Sequence, residues 1–241
     1  MVPVYLLLVI TVLISGSFVF LLKHDNRMVL KLLLAFSGAF LIGISFLDLV
    51  PEVYSSSLKN VGLFVLAGFV LQLLLELLTR GAEHGHEHAE NCRKTEHVSP
   101  FLLLLGLCIH SFLEGMPIVS SSDPQLRETL ITGIIIHNIP ISLTLMSLFI
   151  HYGMSKTRSF FFLFVFALMT PLGSIFSTII QSLQQTNISQ YFDYALAVVI
   201  GIFLHVSTSI LFETSEEHQY NLKKFGVVLA GLVTAFLITV F

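Results

Sequence analysis

Two polar clusters interrupt otherwise apolar stretches of the chain: His110-Ser111-Phe112-Leu113-Glu114-Gly115 and His137-Asn138-Ile139-Pro140. On a helix, His110 and Glu114 fall one turn apart on one face. Imidazole and carboxylate are borderline-to-hard ligands that suit a divalent transition metal. An ionisable group on a membrane helix costs roughly 2.5–3.5 kcal/mol on insertion scales, so its presence there needs a reason. These residues imply a metal site buried in a membrane.

Composition sets the class. Of 241 residues, 55% are hydrophobic and 11% charged, and mean hydropathy is +0.88; soluble domains carry about a quarter charged residues. The chain therefore reads as an all-α polytopic membrane protein. A net charge of -3 with no basic run points away from nucleic acid. Cys92 and Cys108 have no paired spacing that would suggest a disulfide framework or a zinc knuckle.

A spanning helix needs roughly 20 apolar residues. Eight such segments are expected, at about 2–22, 28–50, 60–79, 100–120, 128–150, 159–182, 191–213 and 224–241. The first is kept as a helix because its apolar run has no basic region before it and no small-residue cleavage site. Ten of the twelve Lys and Arg residues fall in the odd-numbered loops; only Lys59 and Arg127 fall in the even ones. By the positive-inside rule the odd loops face the cytoplasm and both termini face outward.

That topology gives the clusters depth. The fourth span runs outward and the fifth inward, so His110 and His137 both come near the bilayer midplane, where they can face each other. Glu114 lies one turn, about 6 Å, nearer the outside. A proline at 140 frees the carbonyl of Ile136 and opens the backbone where a cation could use it.

The elements His-Ser-x-x-Glu-Gly on the fourth span and His-Asn-x-Pro on the fifth, with a His-containing loop after the third, resemble the ZIP family of divalent-metal transporters. Asp48-Leu49-Val50-Pro51-Glu52 is similar to the family's proline element on the second span, and Met169-Thr170-Pro171-Leu172-Gly173 to that on the sixth. The resemblance covers the whole chain. It implies a secondary transporter that moves zinc, or iron or manganese, towards the cytoplasm through a site shared by the fourth and fifth spans. It also implies a 3+2+3 arrangement in which the first and last three helices are inverted repeats. On that basis the chain divides into 1–79, the first repeat; 80–99, a cytoplasmic His-containing loop; 100–150, carrying the metal site; and 151–241, the second repeat.

One departure from the family pattern bears on the cargo. Where many members have an acid after the proline of the fifth span, this chain has Ile141, which argues for one metal rather than two side by side. His110, Glu114 and His137 are then the core ligands, with Asn138 and Ser111 as weaker oxygen donors or supporting partners. Two imidazoles and one carboxylate make a compact set for zinc, although such sets also bind Fe2+, Mn2+ and Cd2+.

Other polar residues line a route. Asp48 lies one turn inside Glu52 on the same helical face and reads as a transient ligand. Glu52 and Glu213, at opposite ends of the inverted pattern, read as mouth residues that draw cations in and release them. His205 and Ser209 continue the stripe to Glu213 on the seventh span. In the loop, His84, His86, His88 and His97 read as weak metal capture on the delivery side. Glu76 is expected to reach headgroups or to pair with Arg80.

Two other classes share these features: an intramembrane zinc hydrolase and a passive divalent-metal channel. A hydrolase needs a carboxylate base that is not a ligand, and no His-Glu-x-x-His element is present. The expected partners are a divalent ion and membrane lipid, with a homodimer compatible. The expected location is a plasma membrane or a bacterial inner membrane, and zinc is expected as substrate, not cofactor.

Overall fold

In a bilayer there is no water to satisfy backbone N–H and C=O groups, so apolar runs of this length close their hydrogen bonds internally as helices. The computed structural model describes residues 1–20, 27–56, 58–79, 99–119, 124–183, 188–213 and 222–240, and among them there is no strand. The helices are α1 (Val2–Ser17), α2 (Arg27–Ile44), α3 (Val50–Ser55), α4 (Val61–Thr79), α5 (Pro100–Gly115), α6 (Pro124–His151), α7 (Lys156–Leu183), α8 (Ile188–Glu213) and α9 (Leu222–Val240). With α2 and α3 joined into one span, eight helices among the described residues are long and apolar enough to cross a membrane. This matches the eight expected segments, and the second, fifth and sixth run several residues longer than their apolar cores.

Local sequence explains the breaks. Between α2 and α3, residues Ser45–Leu49 form a π-helical turn in which Val50 N–H donates to Ser45 O. Pro51 cannot donate, so the wider turn re-routes the hydrogen bonds ahead of it. Asp48 sits in that turn. Gly153 ends α6 with φ +72. Met154 N–H donates to Phe149 O and Gly153 N–H to Ile150 O, a Schellman closure that favours glycine at the left-handed position.

The helices sort into two groups. In one, α1 packs on α6 and α7, and α5 on α7; in the other, α2 packs on α8 and α9, and α4 on α8. Within each group backbones touch. A methyl group at Gly115 of α5 would overlap Thr170 O of α7, and one at Gly173 of α7 would overlap Phe112 O of α5. The second group repeats the device, with Gly68 of α4 against Val198 O and Gly201 of α8 against Val65 O. Small residues at such crossings let two helices approach along their length.

The seam between the groups is different. There α6 faces α2, and Gly133 meets the tip of the Ile44 side chain, not backbone. Leu130 and Ile134 of α6 share one apolar cluster with Leu41 and Ile44 of α2 and Phe203 of α8. The polar clusters open on this seam.

Candidate metal centre

Helix α5 brings His110 and Glu114 to one buried face, and α6 brings His137 opposite them. His110 Nε2 lies 2.8 Å from Glu114 Oε1, with side-chain exposures of 1% and 0%. His137 Nε2 lies 4.0 Å from the same oxygen and is also fully buried. The two imidazole rings are 5.7 Å apart between centroids, at 65°. One ligand atom from each of the three residues falls within 4.8 Å of the others.

These separations suit a shared cation. A tetrahedral zinc with bonds of about 2.0–2.1 Å spaces its ligand atoms roughly 3.3 Å apart, and the observed 2.8 Å and 4.0 Å bracket that value. Glu114 Oε1 has His110 Nε2 beside it, whereas Glu114 Oε2 and His137 Nε2 have no hydrogen-bond partner among the described residues. Buried polar atoms in folded proteins are nearly always satisfied, so ligand-type atoms of this kind converging on one point fit a cation.

The remaining ring nitrogens are held from the other helix group. His110 Nδ1 is 2.9 Å from Gln72 Oε1 on α4, and His137 Nδ1 is 3.2 Å from Ser37 Oγ on α2. Both contacts cross the seam, and the sequence reading contained neither residue. Gln72 had a usable signal: it is a polar residue inside the apolar run of α4, spaced by four from Glu76.

The other sequence-derived residues divide. Asn138 is buried next to His137, with its Oδ1 lacking a partner among the described residues. Ser111 turns to α7, where its hydroxyl lies 2.7 Å from Thr170 Oγ1. Asp48 is partly buried, and its Oδ2 has no hydrogen-bond partner among the described residues. Glu52 follows on α3, partly buried.

A second polar group forms where α4 meets α8. His205 Nε2 lies 3.4 Å from Glu76 Oε2, and Ser209 Oγ donates to the same oxygen at 3.4 Å. Phe69 packs edge-on against the His205 ring. Glu76 thus also faces α8, a contact that its position on α4 alone does not reveal. Arg80, the loop histidines His84, His86, His88 and His97, and the Glu213 side chain lie outside the described residues.

Among the described residues, eight apolar helices around a buried His2Glu cluster define a polytopic membrane protein whose cluster could hold a cation. Residues 2–239 match the sequence profile of the ZIP zinc transporter family, and the chain belongs to that family. It is 27% identical over 156 residues to the zinc transporter ZIP9 of Micropogonias undulatus, covering 61% of this chain and 49% of that one. To protein zntD of Dictyostelium discoideum it is 30% identical over 152 residues, 59% of this chain and 22% of the relative. To the zinc transporter ZupT of Chlorobium phaeovibrioides it is 27% identical over 238 residues, 91% and 89% of the two chains. The chain thus spans about half the length of the ZIP9 relatives and nearly all of ZupT.

Proposed function

We propose that this protein is a secondary transporter that carries a divalent metal ion, zinc as the main cargo, into the cytoplasm through the His110–Glu114–His137 site. The observation that carries the reading is the buried trio itself: three side chains from α5 and α6 whose ligand atoms converge within 4.8 Å. Family membership and the zinc transporters among its relatives support the cargo. Asn138 adds a nearby oxygen, and Ser111 acts through Thr170 by steadying α5 against α7.

The route reads outward to inward. Asp48 and Glu52, beside the π-helical turn, receive the ion on the outer side. Glu76, His205 and Ser209, then Glu213 and the loop histidines, take it on the cytoplasmic side, in the orientation that the Lys and Arg distribution favours. The 3+2+3 repeat belongs to the same reading.

An elevator-like motion accounts for the packing. Backbone-to-backbone glycine crossings lock helices within each group, whereas side chains fill the seam between them. Rigid groups separated by a side-chain seam can shift as bodies. Burial of all three ligands at 0–1% exposure favours a carrier over an open channel. A hydrolase needs a base besides its ligands, and Glu114 is the one acid in the trio.

Purified protein in proteoliposomes tests this. Saturable zinc uptake is expected, with iron, manganese and cadmium competing, and uptake is expected to vanish in His110→Ala and His137→Ala. Wild-type uptake in either variant refutes the site.

A further inference from the structure

We propose that Gln72 is a positioning residue for the cation site, supplied by the opposite helix group: its side-chain oxygen receives the Nδ1–H of His110 and so keeps the Nε2 lone pair available to a metal. This inference rests on the metal-site reading above and assigns a role to a residue on a different span.

The chemistry follows from which atoms can donate. A carboxamide oxygen only accepts, so at 2.9 Å from Gln72 Oε1 the ring nitrogen Nδ1 must carry the hydrogen. A neutral imidazole with hydrogen on Nδ1 has a bare Nε2. That atom is the one 2.8 Å from Glu114 Oε1, and two acceptors stay that close only with a cation held between them. The opposite tautomer would place a hydrogen between Nε2 and Glu114, a charge-assisted hydrogen bond that ties up both ligands. Gln72 therefore sets the balance between an open site and one closed on itself.

The effect is specific to the loaded protein. When a metal takes Nε2, Nδ1 must hold its hydrogen, and with Gln72 and His110 both buried, at 0% and 1% exposure, that N–H has to find its acceptor inside the protein. Without Gln72 the loaded state loses the acceptor that lies 2.9 Å from this buried donor. The empty state escapes, because the ring can switch tautomer and donate to Glu114. Ser37 differs: a hydroxyl can donate or accept, so at 3.2 Å from His137 Nδ1 it adapts to either tautomer. The asymmetry singles out Gln72.

Zinc binding to the full-length purified protein, measured by competition with a chromogenic chelator, tests the assignment alongside the melting temperature of the metal-free protein. Gln72→Leu, similar in size without an acceptor, is expected to weaken zinc binding by roughly 10–100-fold, as loss of a partner behind a ligand does, with the metal-free melting temperature little changed. Gln72→Glu, which restores the acceptor, is expected to return affinity to within about threefold of wild type, and Ser37→Ala to show a smaller loss than Gln72→Leu. In zinc-loaded wild type labelled with 15N-histidine, His110 is expected to carry its hydrogen on Nδ1. Unchanged zinc affinity in Gln72→Leu, or a Gln72→Glu variant as weak as Gln72→Leu, overturns the proposal, as does a bare Nδ1 in the loaded protein. Should Gln72→Leu not fold, the Gln72→Glu affinity and the wild-type spectrum decide. His110→Ala separates the two readings: if it abolishes zinc binding while Gln72→Leu binds zinc as tightly as wild type, the site stands and the role of Gln72 falls; if His110→Ala binds normally, the site itself falls.

Discussion

Glu76 on α4 and His205 on α8 meet at 3.4 Å, with Ser209 sharing the same carboxylate oxygen. This group sits one helical turn along α4 from Gln72, which touches His110. On the proposed route, a cation leaving the His110–Glu114–His137 trio towards the cytoplasm would pass next to Glu76, the acid that α4 contributes. A negative group at that position lowers the barrier to release, and removing its charge leaves a low-dielectric gap. Glu76→Gln is expected to reduce maximal zinc uptake several-fold in proteoliposomes while equilibrium binding to purified protein stays near wild type. Equal loss of binding would place Glu76 in the primary site instead.

The stoichiometry of binding is a second consequence. The trio holds one carboxylate, and Ile141, buried on α6 one turn beyond His137, adds no charge beside it. Metal analysis of zinc-saturated protein is expected to give one ion per chain at this site, counted against a protein lacking residues 83–97. Ile141→Glu in that background is expected to raise the count towards two, because an added carboxylate both supplies a ligand and offsets a second dication's charge. No increase would show that the residue at 141 does not set the count.

The parts legible in the sequence were those with a local signal. Eight spans follow from apolar length, and the pairing of His110 with Glu114 follows from helical spacing; α5 carries both on one face. What escaped was set by tertiary packing. The π-helical turn at Ser45–Leu49 could be suspected from Pro51 but not located, and the contacts of Ser37, Gln72 and Thr170 depend on which helices become neighbours. The contacts of Glu76 with His205 and Ser209 belong with these, since α8 lies more than a hundred residues away in sequence. The glycine pairs show the same limit: Gly68 and Gly201 are visible as small residues, but their reciprocal backbone contact requires α4 and α8 to be side by side.

That contact makes a stability prediction. A side chain at Gly201 would run into Val65 O and the backbone of Phe69, neither of which can swing aside. Overpacking a close crossing costs typically 1–3 kcal/mol and more where backbone must move. Gly201→Val is expected to lower the melting temperature and the monodisperse yield in detergent. Gly226→Val, where nothing stands within 4 Å of an added Cβ, is expected to leave both unchanged. Equal behaviour of the two variants would mean that the α4–α8 crossing does not hold its group together.

The last prediction concerns motion at the seam. If the α1, α5, α6, α7 group moves against the other, a covalent link across the seam must stop transport, and one inside a group must not. Gly133 of α6 faces the Ile44 side chain of α2 across the seam, whereas Gly16 of α1 faces Leu163 of α7 within a group. Paired cysteines at each couple, in a background with Cys92→Ser and Cys108→Ser, compare the two directly. Oxidation of the Ile44→Cys, Gly133→Cys protein is expected to abolish zinc uptake, and reduction to restore it. The Gly16→Cys, Leu163→Cys protein is expected to transport equally well oxidised and reduced. Bridge formation, read from the loss of free thiol, has to be confirmed for each, since disulfides form only at suitable Cα separations. Full transport by the oxidised seam pair would mean that the ion crosses without relative movement of the two groups, as in a channel.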